Sequence, residues 1–186
     1  MKRRLFTLLT ALALVVICAV LLPTQADAAS TSDLTFTLNT DSQSYSVTDC
    51  KESTSGALTI PATYNGKPVT GIGVSAFRGC KNLTSINIPN SVTIIGECAF
   101  YYCTSLTSIA IPDSVTSVGE FAFYNCTRLT SITIPDSVTD IGDDAFIGCT
   151  SLTSVSIPGS VTSVGDGAFK YCTSLTSITL CKGVTS

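Results

Sequence analysis

Five cysteines, Cys80, Cys103, Cys126, Cys149 and Cys172, stand 23 residues apart in a chain of 186. Thiols offer three kinds of chemistry: disulfide formation, ligation of soft metals and nucleophilic attack. Stacked strands roughly 4.8 Å apart fall inside the Cα range of a disulfide, but parallel side chains do not give its dihedral near 90°. Zinc or cuprous ion needs thiolates that converge, which a parallel column does not supply. Each of the five closes the phrase A-F-x-x-C, so the expected role is structural: a free, small apolar thiol that packs inside and donates weakly to a carbonyl. Cys50, Cys98 and Cys181 lie off this column, and spacing alone does not pair them.

Acids recur as well. Glu97, Glu120, Asp143 and Asp166 each follow a glycine, where a carboxylate suits the N-terminus of a short helical turn. Asp136, Asp140, Asp143 and Asp144 thicken one unit. Calcium takes six to eight oxygens, and these four acids fall on different turns without an acidic loop motif, so no metal and no cofactor is expected. The chain has no histidine, the commonest general base. Its serines and threonines repeat in every unit, which marks architecture rather than one activated nucleophile. An enzyme is not expected.

Binding chemistry is left to the outward side chains. Ser85, Ser108, Ser131, Ser154 and Ser177 form one column, and Asn87, Ala110, Thr133, Ser156 and Thr179 a more varied one beside it. Neither holds the Trp, Tyr or Arg of typical interface hot spots. Aromatic and basic candidates flank the Phe-to-Cys segment: Tyr101, Tyr102, Tyr124, Asn125, Arg128, Lys170 and Tyr171. The candidate face is therefore Ser85, Asn87, Ser108, Ser131, Thr133, Ser154 and Ser156 with Tyr101, Tyr124, Arg128 and Tyr171. A column of Thr107, Thr130, Thr153 and Thr176 invites an ice-templating reading, but a flat lattice needs two regular columns and only one is present.

These residues are positioned by a repeat. In Leu129-Thr130-Ser131-Ile132-Thr133-Ile134, period-two alternation turns Ile132 and Ile134 inward along a parallel strand. Pro135 ends the ladder, Val138 and Ile141 drop back inside, and Gly142 permits a change of direction. D-D-A-F-I-G-C is then expected to form a short helical turn that buries Ala145, Phe146 and Cys149. The predicted fold is an α/β repeat solenoid, a leucine-rich repeat of 23-residue period with short parallel strands on one face and turns or short helices on the other. Complete units run 83–105, 106–128, 129–151 and 152–174, with a partial unit at 175–186 and a degenerate one at 55–82. The degenerate unit carries five extra residues, Tyr64-Asn65-Gly66-Lys67-Pro68, that read as a surface turn.

Ahead of the array, alternation at Leu34–Leu38 and Tyr45–Val47 predicts an N-terminal β-hairpin cap over 29–54. Residues 1–28 read as an export signal: Lys2, Arg3 and Arg4, an apolar run from Leu5 to Leu22, then Ala26-Asp27-Ala28. No second apolar stretch follows, so no membrane contact is expected beyond this leader. Residues 29–186 hold 7 basic and 12 acidic side chains, a net of −5 with no basic patch, which argues against nucleic acid as a partner.

The phrase L-x-x-I-x-I-P-x-S-V-T-x-I-G-x-x-A-F-x-x-C, as at Leu106–Cys126 and Leu129–Cys149, resembles the BspA-type, or Treponema-type, leucine-rich repeat of bacterial surface proteins. Gly56 to Phe77 also resembles the opening unit of such arrays. The array departs from the pattern at Cys181, which stands where the strand-ending proline belongs. The resemblance implies a secreted or cell-surface, non-catalytic protein that binds a protein or glycan at a cell surface or in the extracellular matrix, in the manner of an adhesin. The competing expectation is a structural spacer or the N-terminal fragment of a larger surface protein. End-to-end self-association is expected where the last unit leaves a sheet edge uncovered.

Overall fold

A computed structural model of the chain describes residues 29–181. The export signal and the last five residues of the partial unit lie outside the described residues.

The strands, in chain order, are β1 (Leu34–Leu38), β2 (Tyr45–Cys50), β3 (Ser55–Thr59), β4 (Thr63–Tyr64), β5 (Lys67–Ile72), β6 (Asn82–Asn87) and β7 (Ile94–Ile95). They continue as β8 (Ser108–Ala110), β9 (Ser117–Val118), β10 (Ser131–Thr133), β11 (Asp140–Ile141), β12 (Ser154–Ile157), β13 (Ser163–Val164) and β14 (Ser177–Leu180). Strands β3, β6, β8 and β10 form one parallel sheet, and β12 pairs with β14 in line with it. A second ladder, β5-β7-β9-β11-β13, is also parallel, with Ile72, Ile95, Val118, Ile141 and Val164 in register. The segment after each proline, read from sequence as extended or turning, is thus a second strand.

The predicted α component is a further correction. The described residues contain no α-helix, only one short 3₁₀ turn at Thr31–Asp33. Two causes act on each G-x-x-A-F-x-x-C segment. Alternate amides leave the coil: Cys98, Phe100 and Tyr102 donate to the carbonyls of Glu120, Ala122 and Tyr124, while Ala99, Tyr101 and Cys103 bond three residues back. An α-helix needs every one of those donors for its own i→i−4 bonds. Two residues per segment also take left-handed φ, such as Cys98 and Tyr102, Phe121 and Asn125, or Asp144 and Gly148. Isolated left-handed residues interrupt a right-handed helix. With no helix to cap, the acids after glycine stand exposed; the Asp143 carboxylate instead accepts from the Asp166 amide at 2.8 Å.

Gly142 directly follows β11, just before the turn residues that begin at Asp143. Its φ is not left-handed, but a Cβ there would stand 2.5 Å from the Glu120 amide nitrogen, so the glycine column exists to let coils approach.

The core runs the length of the array. Leu, both strand Ile or Val residues, the Val after proline, Ala, Phe and Cys of the middle units are all buried. Phe77, Phe100, Phe123, Phe146 and Phe169 stack in one file with centroids 5.1–5.2 Å apart and planes within 10°. At the N-terminal end β1 and β2 pair antiparallel, and β2 extends the second ladder by pairing with β5. The five extra residues form the tight β4–β5 turn, with Asn65 and Gly66 both left-handed. Tyr64 at its base stacks on Phe36 at 4.2 Å and meets Tyr45 edge-on at 5.1 Å, tying the turn to the hairpin.

Candidate functional site

Each column thiol sits beneath a carbonyl of the preceding coil. Cys103, Cys126, Cys149 and Cys172 donate to the carbonyls of Phe77, Phe100, Phe123 and Phe146 at 3.0–3.3 Å. Burial pushes the Cys103 thiol up to about 12 and raises Cys126, Cys149 and Cys172 as well. Thiols held neutral in this way are poor nucleophiles and poor metal ligands. Among the described residues no three of His, Cys, Asp and Glu converge as a metal site, Asp136, Asp140, Asp143 and Asp144 included.

The sheet face is regular and bland. Ser85, Ser108 and Ser131 are in register, as are Ser154 and Ser177, and all but half-buried Ser85 are exposed. Asn87, Ala110 and Thr133 line up beside them, followed by Ser156 opposite Thr179. The neighbouring Thr107, Thr130, Thr153 and Thr176 hydroxyls each donate to the backbone carbonyl 23 residues earlier, at 3.0–3.4 Å. Their protons are spent on the coil stack, which leaves only acceptor lone pairs to face water.

The turn side differs. Tyr101 stacks on Tyr124 at 4.5 Å and 11°, and Tyr102 tilts against both at 4.9 and 5.5 Å. Phe121 meets Tyr124 edge-on. The exposed Arg78 guanidinium lies 4.9 Å from the Tyr101 ring centre, a cation–π contact. Loss of water around Tyr101 raises its phenol pKa, with the Tyr124 and Tyr102 phenols adding to the shift. Beside these rings an open groove of about 530 Å³ is lined by Asp49, Glu52, Ser75, Arg78, Gly79, Lys81, Tyr101 and Tyr102. The groove therefore joins the end of the hairpin to the first two turns of the array.

Of the residues singled out from sequence, the structure brings Tyr101, Tyr102 and Tyr124 together. Arg128 is exposed and makes none of these ring contacts, and Tyr171 is exposed beside Lys170 instead. The Ser-rich columns form a separate surface on the first sheet. Arg78, Lys81, Asp49 and Glu52 were missed. Their signal was a local gathering of charge in a chain only 12% charged, but 26 residues and a hairpin separate Glu52 from Arg78 along the chain, so only the fold shows that they share a groove.

Comparison with known proteins places this geometry. The family described as BspA type leucine rich repeat region matches residues 70–186 in six copies. A leucine-rich repeat protein of Treponema pallidum is 34% identical with a TM-score of 0.77, over 81% of this chain and 70% of that one. One from Bacteroides ovatus is 36% identical, TM-score 0.72, over 80% of this chain and 40% of the other. A leucine-rich cell surface protein of Faecalibacterium prausnitzii is 42% identical, TM-score 0.71, over 85% of this chain and 44% of its own length. The chain thus spans less than half of the latter two proteins. No curated protein matches.

Proposed function

Because the chain belongs to the BspA-type leucine-rich-repeat family, we propose that it is a non-catalytic binding protein, exported to or released at the cell surface, which engages a protein or glycan through the groove beside Tyr101 and Tyr102. One observation carries the choice of surface. Outward side chains on the first sheet are small and uncharged, whereas the groove combines exposed Tyr102 and half-buried Tyr101 with charges of both signs. Tyr and Arg are the side chains that most often dominate binding energy. The cell-surface description printed for the Faecalibacterium relative supports the location, and the leader read from sequence supplies a route of export.

The test is retention of the chain on arrays of surface glycans and extracellular-matrix proteins. The double substitution Arg78→Ala and Lys81→Ala alters two exposed side chains and is expected to weaken retention at least about tenfold, whereas Ser108→Ala with Ser131→Ala leaves it unchanged. No retention on any surface, or a loss that follows the serines instead, sinks the proposal.

A further inference from the structure

Cys80 is the odd member of the thiol column. Every later member meets a Phe carbonyl at 3.0–3.3 Å, but the coil before Cys80 is the hairpin end, which has no such carbonyl to offer. The Cys80 sulfur reaches only the carbonyls of Cys50 and Lys51, both at 3.8 Å. Cys50, the last residue of β2, points at the same place: its sulfur is also 3.8 Å from the Lys51 carbonyl and 3.4 Å from the Thr54 hydroxyl. Both side chains are buried and both are free thiols. We propose that Cys50 and Cys80 are a disulfide site, and that their oxidation staples the N-terminal hairpin to the first unit of the array.

Two features support the pairing. The sulfurs share a carbonyl neighbour and approach one another from different elements rather than as parallel neighbours in a column, so the geometry that forbids bonding along the column does not apply. The neighbouring Cys80 thiol favours the Cys50 thiolate, while the Cys80 thiol itself is raised by Cys50 and by burial, leaving Cys50 as the attacking group. A small-molecule disulfide is the oxidant. The Cys50 thiolate attacks one of its sulfurs and releases one thiol; the Cys80 thiolate then attacks the Cys50 sulfur and displaces the second. The two thiol protons end on the two released thiols, and the electron pair reduces the S–S bond of the oxidant.

Burial is bypassed by oxidising during folding. The full chain is reduced, unfolded in guanidinium, and returned to buffer containing oxidised and reduced glutathione; free thiols are then blocked and the peptides mapped by mass spectrometry. Peptides carrying Cys50 and Cys80 are expected as one linked species, two hydrogen masses lighter, and the same link is expected in the Cys103→Ala variant. The linked chain should melt roughly 5–10 °C above the same chain in dithiothreitol, a difference absent from Cys50→Ala. Recovery of Cys50 and Cys80 both blocked, Cys50 left joined to glutathione, or Cys80 linked to Cys98 or Cys103 would overturn the assignment. None of these outcomes depends on whether the groove binds a ligand.

Discussion

Phe123 is fully buried, with Phe100 and Phe146 stacked 5.1 Å away on either side, so removing its ring opens a gap felt by three units at once. Phe123→Ala is expected to cost roughly 3–5 kcal/mol, read from denaturant unfolding. The thiols supply a pH prediction. Cys103 has an ordinary value of 9.0 when unfolded and about 12 when folded, so the folded state keeps its proton longer. That contribution is complete below pH 9 and is lost as pH rises from about 9 to 12, with Cys126, Cys149 and Cys172 acting in the same direction. Alkaline titration of the melting temperature should therefore fall over that window, and Cys103→Ala should flatten it. The inward identity of these residues was legible from the sequence because period-two alternation and the 23-residue recurrence both mark burial. The left-handed residues were less legible: Gly79, Gly148 and Gly167 advertise them, but Cys98, Tyr102 and Phe121 occupy equivalent positions with no such mark.

At the scale of elements, the hairpin is held by packing that the repeat does not supply. Tyr64 links the β4–β5 turn to Phe36 and Tyr45, and each aromatic pair contributes about 0.5–1.5 kcal/mol beyond simple burial. Tyr64→Ala is expected to speed hydrogen exchange at the β1 and β2 amides while leaving the strands from β8 onward unchanged. Turns or short helices were expected opposite the first sheet and a second strand ladder is found after each proline, for one physical reason. Local periodicity reports which side chains face inward, whereas the destination of each N–H is decided by the neighbouring coil. Cys98, Phe100 and Tyr102 give their amides to residues 22 positions later, and nothing within a single unit records that.

For the whole molecule, stability is the sum of nearest-neighbour interfaces. Deletion of residues 106–128 removes one full period and brings Ser85 into register with Ser131, so the shortened chain is expected to fold with a lower denaturant midpoint and a smaller m-value. A chain that no longer unfolds cooperatively would show that the units are not interchangeable. The groove belongs to this scale too. Tyr101, Tyr102 and Tyr124 were visible as candidates because they are aromatic side chains of the hot-spot type, but Asp49 and Glu52 join Tyr101 and Tyr102 only after the hairpin docks.

The five-residue insertion at Tyr64–Pro68 leaves the parallel pairing on both sides of it intact, since β3 still pairs with β6 and β5 with β7. The corner after a strand-ending proline is therefore a port where the chain accepts foreign length. A peptide epitope inserted after Pro135 would be presented on a rigid stem, its neighbours set at coil spacing, without the scaffold being redesigned.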